Sequence, residues 1–187
     1  MTHRFTAFLL VATLLLTGQS CLNRNTNTNT NVAPPEKIVI KVGEKTTIDS
    51  LEHQVTTAER LDVIPASSTI KRFKNIAADK KAPEGFTYIH LRGNIKNTGE
   101  TAQTIDSNSF QIIDRIGETY KITTDVTLYI EDTLFPTYIE VPAGKTTPWE
   151  GYFLVPNVGK DLELQLTDLQ SPPVKTAFVN LGIANKE

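Results

Sequence analysis

Hydrophobic and polar residues alternate over most of the chain between residues 37 and 181, and helical periodicity is scarce. The alternation is clearest over residues 86–97. One face of that segment carries Ile89, Leu91, Gly93 and Ile95. The opposite face carries His90, Arg92, Asn94 and Lys96. A side-chain period of two is what a half-buried antiparallel strand requires, so this segment is predicted to be a core strand with its polar side chains in solvent.

Similar segments recur along the chain and predict about nine short strands separated by turn signals. They fall within residues 37–50, 53–64, 86–97, 101–114, 118–123, 139–155, 161–168 and 177–181. Gly99 and Gly117 are predicted to close tight turns, because glycine adopts positive φ freely. Residues 67–81 are predicted to be a loop or an edge strand, and residues 125–135 allow a short helical turn. A parallel sheet would need helices between its strands, so the pattern predicts an all-β antiparallel sandwich or barrel.

The N-terminus combines a short basic start with an uncharged apolar stretch at residues 5–16, followed by small residues at Gly18 and Ser20. This layout is typical of a secretory signal peptide. The apolar stretch is shorter than the ~20 residues that cross a bilayer. A buried N-terminal helix is the alternative, but the polar residues that follow offer it no helical partner. Residues 1–20 are therefore interpreted as a signal peptide.

Ser20 and Cys21 together resemble a bacterial lipobox, in which a small residue precedes the cysteine that becomes the mature N-terminus. The resemblance implies a diacylglyceryl thioether on Cys21 and an acylated amine. Gly18 departs from the pattern, since leucine is commonest at that place. The alternative is an ordinary signal peptidase cut that leaves Cys21 as a free thiol. Cys21 is the single cysteine of the chain and has no disulfide partner.

Lipid on Cys21 would anchor the protein in the cell membrane or the outer membrane, because two or more acyl chains hold a protein stably in a bilayer. Leu22 replaces the aspartate that would retain a lipoprotein at the inner membrane, which by analogy favours the outer membrane in a cell with two membranes. The protein would then face away from the cytoplasm. Without lipid it would be secreted.

An Asn/Thr-rich tract makes residues 21–36 a predicted flexible tether, stiffened at its end by Pro34 and Pro35. Residues 37–183 remain as one domain of about 150 residues, enough to bury a core. The net charge is -2, and lysine and arginine are scattered. Nucleic acid is excluded as a partner, because its binding proteins carry a basic stripe.

The domain resembles the DUF4352 family of bacterial secreted proteins and lipoproteins. The matching segments are residues 88–100 (YIHLRGNIKNTGE), 110–120 (FQIIDRIGETY), 141–144 (VPAG) and 151–156 (GYFLVP). The resemblance implies a telokin-like, immunoglobulin-like β-sandwich and carries over no catalytic or binding residues. Gly151 is interpreted as a bulge or a close backbone approach. Residues 64–84 are longer and more basic than the family pattern suggests.

Candidate chemistry is sparse, and we expect no enzyme activity, no cofactor and no metal site. His53 and His90 are isolated and lack the clustered ligands that zinc and copper require. His90 is interpreted as a solvated surface histidine. Asp106 and Asn108 superficially resemble a calcium loop, but the glycine at the sixth position is missing, so both are predicted to be turn residues.

Two surface features have alternative interpretations. A basic cluster could meet anionic headgroups or an acidic partner, or it is simply a solvated loop; it comprises Lys71, Arg72, Lys74, Lys80 and Lys81. The aromatic residues of the C-terminal half are predicted to pack mostly in the core or on the sheet surface, with an exposed subset free for recognition. They are Tyr120, Tyr129, Phe135, Tyr138, Trp149 and Tyr152.

Three functions are compatible with these features. The leading hypothesis is an exported, lipid-anchored envelope protein whose immunoglobulin-like module binds a protein or an envelope polymer through loops at one end of the sandwich. The second is a structural or accessory envelope lipoprotein without a discrete ligand, which an exposed apolar patch would argue against. The third is a secreted solute binder or an enzyme, which a pocket with convergent carboxylates or histidines would favour.

Overall fold

Thirteen strands account for most of the residues that the computed structural model describes. These residues are 37–66, 79–126, 129, 138–159, 161–169 and 175–183, all within one structural unit, Pro35–Glu187. In chain order the strands are β1 (Val39–Lys41), β2 (Lys45–Ile48), β3 (Leu51–Leu61), β4 (Val63–Ile64), β5 (Lys80–Lys81), β6 (Phe86–Asn97), β7 (Gln103–Asp106), β8 (Phe110–Ile113), β9 (Thr119–Lys121), β10 (Tyr138–Val141), β11 (Thr146–Pro156), β12 (Glu163–Thr167) and β13 (Thr176–Asn180).

Two sheets form the body of the fold. The first has the strand order β11-β6-β3-β2, and the second has the order β1-β13-β12-β8-β9. Two shorter antiparallel pairs, β7 with β10 and β4 with β5, complete the described architecture. The long central strand β6 pairs with β11 over residues 86–96 and with β3 over residues 88–97.

A single apolar core joins the two sheets. It contains Leu91 and Phe153 from the first sheet together with Phe110 and Leu164 from the second, each fully buried. The Phe110 ring lies 4.7 Å from the Trp149 ring across the core. The predicted all-β sandwich is therefore confirmed, and its core faces are those that the alternation of residues indicated.

One strand pair differs from the prediction of an entirely antiparallel fold. Strand β1 runs parallel to β13, with Val39 opposite Phe178 and Lys41 opposite Asn180. The pair lies at the edge of its sheet and involves the first and last described strands, so the long intervening chain makes the crossover that parallel pairing needs.

A β-bulge interrupts β3 between Val55 and Thr57. Before the bulge, His53 and Val55 face the core; after it, the core-facing position shifts to Ala58. Because one inserted residue reverses the alternation, Glu59 and Leu61 lie on the outer face of the first sheet. The sequence pattern predicted this strand but not the bulge.

The outer face of the first sheet is covered around β6, which overturns the prediction of a solvated His90. A second apolar cluster lies there and contains Ile64 from β4, Tyr88 from β6, Val126 and Tyr152. His90 is only 3% exposed. Alternation identifies the face on which a side chain lies, but it does not show whether another part of the chain covers that face.

The turns agree with the sequence in part. Gly117 has a φ of 88° and closes the β8–β9 turn as predicted, whereas Gly99 is not among the positive-φ residues. The Asn97 side chain shapes the turn at Gly99 instead: it donates to Val141 O (2.9 Å) and accepts from Gly99 N (2.9 Å). Gly151 pairs in register with Leu91, and a Cβ there would meet only side-chain atoms, the nearest at 3.5 Å, so neither the bulge nor the close backbone approach is present.

Several predictions fall outside the described residues. They are the signal peptide at residues 1–20, the lipid site at Cys21, the tether at residues 21–36, most of the loop at residues 67–81, most of the helical turn at residues 125–135, and Phe135. Among the described residues, no helix is long and apolar enough to cross a membrane.

Candidate functional site

A small pocket opens between the two sheets at the end of the sandwich where β3 begins and β12 ends; we call it the terminal pocket. Its volume is about 150 Å³. The first sheet contributes the β2–β3 turn and the start of β3, and the second contributes the chain after β12. The lining residues are Ile48, Asp49, Ser50, Leu51, His53, Gln103, Thr167, Asp168 and Leu169.

His53 is the buried polar residue of the terminal pocket. Its position on the core face of β3 leaves it 4% exposed, with its ring edge-on to Phe110 at 6.3 Å. The Nδ1 atom is buried and has no hydrogen-bond partner. Burial removes the imidazole from water and lowers its pKa to about 4, so the ring is neutral at physiological pH. A neutral, unpartnered ring nitrogen is costly in a core.

Charged groups at the rim of the terminal pocket tie the two sheets together. Asp49 has a left-handed φ of 53° in the β2–β3 turn and forms an ion pair with Lys175, which precedes β13. Asp168 accepts a hydrogen bond from Lys175 N at 2.8 Å and donates its own backbone N–H to Lys175 O at 3.1 Å. The hydrogen bond to Asp49 also raises the pKa of Lys175.

A second polar cluster lies on the outer face of the first sheet, which we call the outer-face cluster. Cross-strand register aligns Glu59, His90 and Tyr152 in one row, with Glu150 and Arg92 in the next. His90 Nε2 lies 2.7 Å from Glu150 Oε1, and the Tyr152 hydroxyl donates to the same oxygen at 3.1 Å. Strand pairing thus brings together residues that are far apart in sequence.

Stacking and charge complete the outer-face cluster. The rings of His90 and Tyr152 are stacked with centroids 4.3 Å apart and planes 6° apart. His90 Nδ1 lies 3.7 Å from Glu59 Oε2, and Arg92 Nη2 lies 3.8 Å from Glu150 Oε1. Burial and the Glu150 carboxylate raise the pKa of Tyr152. The imidazole therefore lies between two carboxylates.

Access limits what the outer-face cluster can do chemically. A histidine, a carboxylate and a tyrosine hydroxyl are common acid–base groups. Here His90, Glu150 and Tyr152 are each at most 6% exposed, so a substrate cannot reach them in this arrangement. The described residues contain no group of three or more His, Cys, Asp or Glu placed to hold a metal ion. The geometry supports a role in stability for this cluster.

An apolar groove lies at the opposite end of the sandwich, where β8 ends and β11 leaves its sheet. Ile116 and Val158 are 83% and 81% exposed, the highest values among the large apolar residues of the described chain. Both line a depression of about 460 Å³. The other lining residues are Asp114, Arg115, Glu118, Tyr120, Pro156 and Gly159.

Asp114 organises the turn that presents Ile116. Its Oδ1 accepts from Ile116 N and Glu118 N, both at 3.0 Å, and its Oδ2 accepts from the Tyr120 hydroxyl at 2.9 Å. Burial and this hydrogen bond raise the pKa of Tyr120 to about 12. Three hydrogen bonds to the Asp114 carboxylate therefore fix the turn, and the exposed Ile116 side chain projects from this fixed backbone.

Of the other candidate residues from the sequence, some lie as predicted, some are buried and some fall outside the described residues. Asp106 is a turn residue as predicted: it caps the short 3-10 helix Ser107–Ser109 and accepts from Asn108 N at 2.8 Å. Within the basic cluster, Lys80 forms an ion pair with Asp125 at 2.8 Å, and Lys71, Arg72 and Lys74 lie outside the described residues. Tyr138 is 67% exposed, while Trp149 and Tyr152 are buried.

The sequence pattern predicted neither the terminal pocket nor the apolar groove. The one available signal for the groove is an isoleucine at the tip of a polar turn, at Ile116. His53 gave a weaker signal, because its place on an apolar face becomes visible only when β3 is taken to begin at Leu51.

The family follows from the extent of one match. The sequence model of the domain of unknown function DUF4352 matches residues 40–175, which is most of the chain and includes strands β2 to β12 of the sandwich. The chain belongs to the DUF4352 family. The terminal pocket and the apolar groove of this DUF4352 protein both lie within the matched region.

Solved structures show the same fold at low identity. They include YjhA from Bacillus subtilis (14% identity, TM-score 0.52, 76% of this chain and 98% of that chain), a functionally unknown protein from Listeria monocytogenes EGD-e (13%, 0.51, 77% and 84%) and the secreted protein MPT63 from Mycobacterium tuberculosis (14%, 0.50, 79% and 99%). At these identities the likeness concerns the fold alone. No protein with a curated description matches the DUF4352 chain in sequence.

Proposed function

We propose that this DUF4352 protein is exported, carries lipid on Cys21 and presents its sandwich outside the cytoplasm as a non-enzymatic binding module. The signal-like residues 1–20, the lone Cys21 and the Asn/Thr-rich tract support export and anchoring. MPT63, which shares the fold, is described as a secreted protein. These features support the cellular location, and the binding role rests on the apolar groove.

The apolar groove is the observation that carries the binding role. Two large apolar side chains, Ile116 and Val158, stand in solvent on adjacent loops and line one depression. A paired exposure of this kind is typical of a contact surface. A structural lipoprotein without a ligand has no need of it, so the groove favours a binding module over that second function.

The charge at the groove favours a protein segment with an apolar side chain beside a basic one. Asp114 and Glu118 line the groove, and Arg115 is the one cation among its described lining residues. Arg60 reaches the edge of the groove through a 3.4 Å hydrogen bond to a backbone carbonyl. Arg115 Nη1 lies 3.9 Å from Asp161 Oδ2, which partly neutralises that cation. With Asp161, three carboxylates therefore face two cations among the described residues of the rim, and complementary charge speeds association and selects basic partners.

The anchor is tested by substitution of Cys21. Cys21→Ser is expected to move the protein from the membrane fraction to the medium or the soluble envelope fraction, and to remove the acyl mass from the mature N-terminus. Leu22→Ser is the matched control and should remain acylated, because it leaves the cysteine in place. If the native N-terminus carries no acyl mass and Cys21→Ser still fractionates with membranes, the anchoring proposal fails.

The groove is tested with two labelled peptides that share the same leucine, flanked by lysines in one and by glutamates in the other. In fluorescence anisotropy the lysine peptide is expected to bind at least ~10-fold more tightly, a difference of ~1.4 kcal/mol. Val158→Ser should weaken that binding about tenfold, because burial of a valine contributes ~1.5 kcal/mol. Leu169→Ser, at the other end of the sandwich, is the control and should have no effect.

Two outcomes would overturn the groove assignment. Equal binding of both peptides, or binding that Val158→Ser leaves unchanged, would remove the charge argument or the site. Concentration-dependent dimerisation that Val158→Ser abolishes would identify a second copy of the chain as the occupant in place of a basic partner.

A further inference from the structure

A polar depression lies on the outer face of the first sheet, and we call it the cationic depression. Its volume is about 290 Å³, roughly twice that of a cavity that holds benzene, so a six-membered ring with its substituents fits. The lining residues are Lys45, Glu52, Gln54, Asn94, Lys96 and Thr146.

Cross-strand register builds the cationic depression from four neighbouring strands, β2, β3, β6 and β11. The alternate residues His53 and Ile95 face the core, so the lining side chains project outward from the sheet. Lys45, Lys96 and Thr146 are exposed. A molecule in solution therefore reaches the groups that line the depression.

Glu52 is the one carboxylate among the lining residues, and it lies between two lysines. Lys45 Nζ is 2.8 Å from Glu52 Oε1. This hydrogen bond lowers the pKa of Glu52, and the charges of Lys45 and Lys96 lower it further, against the opposing effect of burial. Two ammonium groups against one carboxylate leave one positive charge of the depression uncompensated.

Charged residues next to the cationic depression do not reverse its sign. In the adjacent cross-strand row, Arg92 Nη2 lies 3.8 Å from Glu150 Oε1, so these charges offset each other. At the β1–β2 turn, the Glu44 carboxylate accepts from Lys41 N at 2.8 Å, and the Lys41 side chain balances its charge. Lys145, which precedes Thr146 of the lining, adds a further exposed cation. The depression therefore favours an anion.

Uncharged hydrogen-bonding groups accompany the two lysines. Gln54 Nε2 donates to Gly43 O at 2.8 Å, which orients the amide and leaves its oxygen to accept. The Asn94 amide and the Thr146 hydroxyl add donors and acceptors. Because a ligand hydroxyl both donates and accepts, this mixture suits several hydroxyl groups beside one negative charge.

We propose that the cationic depression binds a sugar carboxylate, a hexuronate residue, with its carboxylate at the two lysines and its hydroxyl groups on the amide and hydroxyl side chains. The one uncompensated positive charge matches a carboxylate, whereas a phosphomonoester carries about −1.5 to −2 charges. The site shares no residue with the apolar groove and gives the protein a second class of ligand that does not depend on the proposed partner-binding function.

The test compares methyl glucuronide, methyl glucoside and acetate, each added to the full-length protein at pH 7. NMR resonances of the Asn94 side-chain amide and the Thr146 backbone amide follow occupancy. The glucuronide is expected to give saturable shifts. The glucoside should bind about fivefold more weakly, because it lacks the charge for a surface ion pair. Acetate should also bind at least ~5-fold more weakly, because it lacks the hydroxyl groups.

A glucuronate tetramer distinguishes a polymer from a free sugar acid as the source of the hexuronate. Four equivalent residues raise the apparent affinity about fourfold by statistics alone. A gain well above that value over methyl glucuronide would assign the site to a polyuronide chain. A gain of fourfold or less would assign it to the free sugar acid.

Matched variants locate the site. Lys96→Gln should weaken glucuronide binding about fivefold and leave glucoside binding unchanged. Glu52→Gln should act in the opposite direction and tighten glucuronide binding several-fold, because it removes the competing carboxylate beside Lys45. Asn94→Ala should weaken the glucuronide and the glucoside alike. Lys121→Gln is the control: it removes an exposed lysine from β9 of the second sheet and should have no effect.

Four results would overturn the assignment. They are shifts that stay linear up to ~100 mM glucuronide, equal binding of glucuronide and glucoside, equal losses in Lys96→Gln and Lys121→Gln, and tighter binding of glucose 6-phosphate than of the glucuronide. Because the groove peptides report on Val158 and these probes report on Asn94 and Thr146, failure here is distinguishable from failure of the proposed partner-binding function.

Discussion

Adding one methyl group at Gly93 is expected to destabilise the protein by at least ~3 kcal/mol, the upper part of the range for overpacked cores. A Cβ on Gly93 would lie 2.4 Å from the backbone oxygen of Gln54 and 2.5 Å from Nε1 of Trp149. Neither obstacle is a flexible chain end. Gln54 O belongs to the adjacent strand, and the Trp149 ring is held in the core with 2% exposure.

Cross-strand register explains why Gly93 cannot change. Trp149 on β11 stands directly opposite Gly93 on β6, and the indole occupies the space that a side chain at Gly93 would fill. A large aromatic residue that covers a strand glycine stabilises a sheet by shielding its backbone. The glycine is therefore required by the tryptophan across from it, and not by a turn.

Gly151 provides the matched control for this experiment. It lies on β11, two residues from Trp149, but a Cβ there would have its nearest neighbour at 3.5 Å, on Ile122. That is ordinary contact, so Gly151→Ala should change the free energy of unfolding by less than ~1 kcal/mol, since the entropy lost by the unfolded chain offsets small strain. Urea unfolding of both variants measures the difference. Equal losses in the free energy of unfolding for Gly93→Ala and Gly151→Ala would contradict the close contacts described around Gly93.

The two glycines also show how far sequence reasoning reaches. The alternation of β6 and β11 placed both on core faces, and this was correct. The family-like position of Gly151 then suggested a close backbone approach, but the approach occurs at Gly93. Which glycine makes the close approach depends on the residue opposite it on the neighbouring strand. Strand register determines that residue, and register is set by turns and by burial of the opposite strands, neither of which the local sequence pattern shows.

The terminal pocket and the apolar groove could not be predicted from the sequence pattern. His53 reaches the terminal pocket because the short β2–β3 turn places the start of β3 beside the chain after β12. The exposure of Val158 arises from the loop after β11, and its proximity to Ile116 arises from the packing of that loop near the β8–β9 turn. Both sites combine residues from two sheets, and their assembly requires the tertiary fold.

Replacement of His90 by leucine is expected to cost about 3 kcal/mol, the upper end of the penalty when a buried polar group loses its hydrogen-bond partner. Leucine keeps an apolar side chain against Tyr152 but takes away the nitrogen 2.7 Å from Glu150 Oε1. Glu150 is 4% exposed, so water cannot readily replace the lost contact. The Tyr152 hydroxyl and the more distant Arg92 remain near the carboxylate, which sets the cost below that of an isolated buried charge.

Two further variants distinguish the contribution of the His90–Glu150 contact from the effect of lost side-chain packing. The double variant His90→Leu with Glu150→Met should recover part of the stability lost in His90→Leu, because an apolar replacement of both partners removes the buried carboxylate that has lost its 2.7 Å contact. Glu52→Gln is the surface control: Glu52 accepts a hydrogen bond from Lys45 at a similar 2.8 Å, but in solvent, and exposed pairs contribute little. Urea midpoints therefore should fall strongly for His90→Leu, partly recover in the double variant and barely move for Glu52→Gln. Additive losses in the double variant would show that His90 contributes only its volume, and the row of charges across β3, β6 and β11 would then have no energetic role.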